Sequence, residues 1–120
     1  MEIVLNFSHA LSPVARQQLE ERIGPFIEVM QPCQIDFSQQ LKPQVEQMVE
    51  EGCRKVGAVL GYNYASPHYI VPPALSYAAV LVGALMGYAQ SDAVPPSPPP
   101  MIVLKREGAP PQYVLGEIIR

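Results

Sequence analysis

Ile3-Val4-Leu5-Asn6-Phe7 followed by Ser8-His9-Ala10-Leu11-Ser12-Pro13 decides the fold. The first five residues are mostly apolar and partly β-branched, the pattern of a buried strand. The next six read as a loop that ends on a helix-start pair. Ser12 offers an oxygen to free amides, and the proline ring fixes φ at a value that suits a first helical turn. The helix that follows is expected to turn Val14, Leu19 and Ile23 inward and Arg16, Gln17, Glu20 and Glu21 outward, with Gly24-Pro25 as its stop. A buried strand, a loop and a helix in that order are the opening of an α/β unit.

Working outward, Phe26-Ile27-Glu28-Val29-Met30 reads as a second strand, with a looser continuation through Cys33 to Phe37. A longer helix opens at Lys42-Pro43-Gln44 and runs to about Val59. Its apolar stripe is Leu41, Val45, Met48 and Val49, and Gly57 and Gly61 bracket its end. His68-Tyr69-Ile70-Val71 is a short third strand, closed by Pro72-Pro73. Ala74 to about Met86 forms a third, apolar helix. Ala93 to Pro100 carries five prolines in eight residues, which excludes helix and central strand and favours polyproline II. Met101 to Arg106 and Gln112 to Ile118 are two further strands joined by a turn over Glu107-Gly108-Ala109-Pro110-Pro111. The order β-α-β-α-β-α-β-β with right-handed crossovers predicts a single α/β domain over residues 1–120. It is Rossmann-like, with a mostly parallel sheet and a C-terminal antiparallel hairpin.

Length and composition agree with one domain. The chain has 120 residues, 48% hydrophobic and 16% charged, a size that buries a sufficient core without disulfides or metals. Its net charge of −3 excludes a basic protein that coats duplex DNA or RNA by counterion release. Cys33 and Cys53 are too few for a disulfide scaffold and lack metal spacing, so no metal and no cofactor is expected. Met1-Glu2-Ile3-Val4 has an acid where a signal peptide carries positive charge, and the apolar run from Ala74 to Tyr88 is short for a membrane span. These features predict a cytoplasmic protein without a membrane partner.

No catalytic fingerprint is present: no Walker loop, GxGxxG, GxSxG or zinc-spaced histidine pair. The candidate site therefore comes from topology. Open α/β sheets bind ligands beyond the carboxyl ends of their strands, where the direction of connection switches. If the first and third strands are neighbours, the loop Asn6-Phe7-Ser8-His9-Ala10-Leu11-Ser12 meets the loop Pro72-Pro73-Ala74-Leu75-Ser76 there. Each loop opens a helix, whose first amides attract anions. The hydroxyls of Ser8, Ser12 and Ser76 either add donors to an anion site or simply cap helices, and spacing allows both. His9 can donate to a phosphate or shuttle protons, although no partnering acid is evident near it in sequence. His68 reads as structural. Tyr62, Tyr64, Tyr69 and Tyr77 either stack on a base or close a core edge. The Pro-rich stretch is either a stiff crossover or a motif that docks in an aromatic groove.

Four blocks carry a resemblance: Ile3 to Leu11, Val71-Pro72-Pro73-Ala74-Leu75-Ser76, the apolar helix ending Met86-Gly87-Tyr88, and Tyr113-Val114-Leu115-Gly116-Glu117-Ile118-Ile119. Together they resemble a small accessory family of type III CRISPR systems, the Csx-fifteen family. Ala10 stands where that family tends to have proline. The resemblance implies a reduced CRISPR-associated Rossmann fold (CARF-like), dimeric, that handles cyclic oligoadenylate, typically cyclic tetra-adenylate. The ligand site is then expected at the two converging loops, built from Asn6, Phe7, Ser8, His9, Ser12, Pro72, Pro73, Ala74 and Ser76. Three activities are then open. The chain sequesters the ring, with a ligand-bridged higher assembly as one form of that binding. It cleaves the ring without metal, with His9 as the catalytic group. Or it is an adaptor that uses residues 93–100 and binds no nucleotide.

Overall fold

The computed structural model of the chain describes residues 1–74, 78–80, 82 and 99–120. Its elements are β1 (Glu2–Asn6), α1 (Pro13–Ile23), β2 (Phe26–Met30), α2 (Leu41–Leu60), β3 (Tyr69–Val71), β4 (Met101–Glu107) and β5 (Gln112–Ile119). They build one five-stranded sheet in the order β2-β1-β3-β4-β5. The first four strands run parallel, and β5 returns antiparallel to β4, as the predicted mostly parallel sheet with a C-terminal hairpin requires. The order has a direct consequence for function. From β1 the chain crosses to β2 on one side and later returns to place β3 on the other, so the connection switches direction at β1/β3.

Helices cover both faces. On one side Leu11, Ala15 and Leu19 recur every four residues and bury against Val4, Phe26, Val71, Ile102 and Leu115. This stripe corrects the expectation for Val14, which is 38% exposed while its neighbour Ala15 is buried. The apolar face of α1 is the continuation of Leu11, which lies before the helix, so a window opened at Pro13 misses its phase. On the other side α2 packs Val45, Met48, Val49, Cys53 and Val56 over Ile3, Leu5, Phe7, Val29 and Ile70. Each such aliphatic side chain contributes roughly 1.5–3 kcal/mol by leaving water. Ala78 and Val82 join this second core, and residues 78–80 and 82 are helical, within the span of the predicted third helix. Ser76, Tyr77, Tyr88 and residues 93–98 of the Pro-rich stretch lie outside the described residues.

Other boundaries differ for identifiable reasons. Beyond β2 the chain makes two further ladder bonds, Gln31 N–H to the Asn6 carbonyl at 2.9 Å and Cys33 N–H to the Phe7 carbonyl at 3.2 Å. It then leaves the sheet as coil, and Phe37 is exposed, so the expected strand continuation to Phe37 does not form. Gly57 lies inside α2 rather than at its end. A Cβ there would sit 2.7 Å from Tyr64 N and 2.8 Å from Tyr62 O, so the close return of the 62–64 turn onto the helix requires glycine. Gly61, at φ 83°, ends α2 in the left-handed region. The third strand starts one residue later than predicted because His68 acts through its ring. Its Nδ1 accepts the Ile3 N–H at 2.9 Å, while its own N–H donates to the Ile3 carbonyl at 3.0 Å. Among the described residues no helix is long and apolar enough to cross a membrane.

Candidate functional site

Three loops leave the carboxyl ends of adjacent parallel strands at the β1/β3 switch point. They enclose a partly open cleft of about 130 Å³ lined by Phe7, Ser8 and His9 after β1, Pro32 and Cys33 after β2, and Ala74 after β3. Phe7 forms its floor as a fully buried side chain whose backbone bridges the neighbours, donating to the Val71 carbonyl at 2.9 Å. His9 is exposed at the rim, with Ser8 half-buried beside it. Cys33 is half-buried, and burial pushes its thiol above the ordinary range, so it stays a neutral thiol.

Asn6, although 0% exposed, shapes the loop from beneath rather than lining the cleft. Its Oδ1 accepts the Ser8 N–H at 2.8 Å, and its Nδ2 donates to the His9 carbonyl at 2.8 Å and to Glu28 Oε2 at 2.7 Å. That same carboxylate oxygen accepts the Leu11 N–H at 3.0 Å, while Oε1 accepts from Arg16 at 3.3 Å. The Arg16 guanidinium in turn lies 4.7 Å over the Phe26 ring. A carboxylate that is only 9% exposed is thereby met by three donors, which is what its burial demands.

Ser12 is likewise occupied. Its Oγ accepts the Ala15 N–H at 3.1 Å and donates to the Tyr113 carbonyl at 2.8 Å, so it caps α1 and ties it to β5. At the start of α1 the Ala15 and Arg16 amides are spent on Ser12, and the Leu11 amide just before the helix is spent on Glu28. Among the described residues, the amides of His9 and Ala10 and the Ser8 hydroxyl have no intramolecular acceptor, and His9 and Ala10 are exposed. Pro72 is half-buried and Pro73 buried, and neither lines the cleft. Of the nine predicted binding residues, the structure brings Phe7, Ser8, His9 and Ala74 to one cleft. Asn6 supports the loop from beneath, Ser12 caps α1 and ties it to β5 instead of reaching the cleft, and Ser76 falls outside the described residues.

Glu28, Arg16, Pro32 and Cys33 were not among the predicted residues. A signal for Glu28 exists, since a lone acid inside the apolar run Phe26-Ile27-Glu28-Val29-Met30 needs a partner. Pro32 and Cys33 carry no local signal, because only the pairing of β2 with β1 brings them to the cleft.

At the opposite end of α2, Tyr64 packs onto the helix and hydrogen-bonds the buried Cys53 thiol. Burial, with that bond, pushes the phenol up to about 12. This tyrosine closes a core edge and does not line the cleft. Tyr69 lies under Arg120, whose guanidinium is 5.7 Å from the ring centre. Among the described residues no group of three or more His, Cys, Asp and Glu side chains could hold a metal ion. Comparison with protein-family models, with curated proteins and with solved structures found no match.

Proposed function

We propose that the protein binds cyclic oligoadenylate, of which cyclic tetra-adenylate is the best candidate, and lowers its free level by sequestration as part of type III CRISPR defence. The observation that carries this reading is the convergence of three strand-end loops at the β1/β3 switch point, with Ser8 and His9 at its rim and, among the described residues, no acceptor for the amides of His9 and the adjoining Ala10. Backbone amides and a hydroxyl can hold a phosphate without lysine, which fits a chain of net charge −3. The cleft, at about 130 Å³, takes one phosphate or part of one base, well short of the roughly 300 Å³ or more of an enclosing small-molecule pocket. A cyclic tetranucleotide must therefore lie across the surface and engage more than one such cleft. A CARF-like homodimer with its two-fold axis through the ring supplies that second cleft, since equivalent phosphates then meet equivalent loops.

Metal-independent cleavage is the second reading, and the exposure of His9 at the rim favours it. In that reaction a ribose 2′-hydroxyl attacks its neighbouring phosphorus and the 5′-oxygen leaves. His9 moves the proton and the loop amides hold the phosphate oxygens. The test is incubation with radiolabelled cyclic tetra-adenylate in the presence of a chelator, read on native and denaturing gels. A shifted native band with the ring intact supports sequestration. Linear products support cleavage, and His9→Ala is then expected to slow the reaction by roughly 10²–10⁴. Neither shift nor product refutes both readings.

A further inference from the structure

We infer that Glu28 and Asn6 are positioning residues for the cleft: a single carboxylate oxygen on β2 sets the course of the 9–11 segment that presents His9. The inference rests on the ligand reading above for its functional half and on geometry for its structural half. Glu28 Oε2 is shared by Asn6 Nδ2 and the Leu11 N–H, and the other hydrogen of Asn6 Nδ2 reaches the His9 carbonyl. Two backbone tethers, at His9 and Leu11, thus end on one buried acid–amide pair, whereas His9 and Ala10 are exposed and, among the described residues, their amides have no acceptor. Arg16 neutralises the pair from α1, so the arrangement carries no uncompensated charge.

The geometry also explains why both residues are needed in their present order. A carboxylate accepts at both oxygens, so one can serve Asn6 and Leu11 while the other serves Arg16. An amide at position 6 donates twice while its oxygen accepts from Ser8. Exchanging the two groups in Asn6→Asp/Glu28→Gln preserves the Ser8 bond, a bond between the two side chains and the acceptor for Arg16. It presents an N–H to Leu11 and an oxygen to the His9 carbonyl, so both backbone tethers are lost. The exchange keeps the net charge and nearly the volume of the pair.

The experiment compares wild-type protein with the exchanged variant in two measurements: backbone order parameters by NMR, and affinity for cyclic tetra-adenylate. His9, Ala10 and Leu11 are expected to fall from rigid values near 0.85 to below about 0.6, with Ser8 and the strands unchanged. Affinity is expected to fall about tenfold or more. Should the exchange fail to fold, Asn6→Ala, which removes the His9 tether, the Ser8 acceptor and the bond to Glu28 but leaves the Leu11 tether, is read the same way at His9. A 9–11 segment as rigid as wild type in the variant overturns the positioning role. So does a loosened segment with unchanged affinity. If wild-type protein does not bind the ring, the ligand reading fails by itself, and the order parameters still decide whether the pair positions His9.

Discussion

Two glycines in α2 should respond unequally to the same substitution, because different kinds of atom face them. In Gly57→Ala the new methyl would lie 2.7 Å from Tyr64 N, 2.8 Å from Tyr62 O and 2.9 Å from Tyr64 Cα. All three are backbone atoms of a turn held by Tyr62 N–H to the Gly57 carbonyl at 2.7 Å and Ala65 N–H to the Cys53 carbonyl at 3.1 Å. Relief requires the turn to lift, which costs roughly 1–3 kcal/mol of overpacking strain and about 1 kcal/mol of hydrogen bonding. Alanine's better helix propensity returns only about 1 kcal/mol. The net expectation is a loss of about 2 kcal/mol, equivalent to roughly 8 °C in Tm for a chain of this length. In Gly52→Ala the methyl meets Leu5 Cδ2 at 3.0 Å, Leu5 Cδ1 at 3.3 Å and Gln31 Cγ at 3.5 Å, all side-chain atoms. A small rotation of Leu5 relieves that contact, so propensity offsets strain and stability stays within about 1 kcal/mol of wild type. Urea denaturation followed by circular dichroism measures both. A Gly57→Ala protein at least as stable as wild type, or a larger loss at Gly52, would refute the packing argument.

Three other outcomes follow from named contacts. Glu28→Ala removes the acceptor of Asn6, Leu11 and Arg16 and should cost about 3 kcal/mol in urea melts, while Glu28→Gln, which retains one oxygen, should cost clearly less. Ser12→Ala loses the α1 cap and the tie to the Tyr113 carbonyl; about 1–2 kcal/mol is expected, with faster amide exchange at Ala15, and an unchanged Ala15 would contradict the cap. Tyr64 titrates near 12 when folded against an ordinary value near 10, raised by burial and the Cys53 bond, so the folded state holds its proton longer than the unfolded chain. Its contribution is complete below pH 10 and is lost as pH rises through about 12, and Tyr64→Phe should remove that part of the alkaline destabilisation in melts recorded across this range.

The parts that local chemistry specifies were readable from the chain. Ser12-Pro13 starts α1 as expected, Gly24 and Gly61 end the two helices, and the apolar stripe at Val45, Met48 and Val49 faces the core. The hairpin of β4 and β5 forms around the Gly108–Pro111 turn. The phase of α1 was misread because its stripe begins at Leu11, outside the helix, and Gly57 was taken for an end because its close neighbour belongs to the next turn. At the site, Phe7, Ser8 and His9 after β1 line a cleft, yet the sequence could not sort the serines and amides of that loop into spent and available donors.

That sorting depends on partners far along the chain. Strand identity and helix limits arise from periods of two and 3.6 residues and from capping chemistry, all within a few positions, so the sequence by itself determined the order of the described strands and of α1 and α2, and with it the α/β class. Which strands are neighbours is a matter of packing. Pairing β1 with β2 and β3 brings Pro32, Cys33 and Ala74 to Phe7, Ser8 and His9. The same pairing places Glu28 beside Asn6 and Leu11, 22 and 17 residues away, where it takes donors that an anion would otherwise meet. Only the tertiary structure decided this, because a buried carboxylate chooses its partners by proximity in space and by the cost of remaining unpaired.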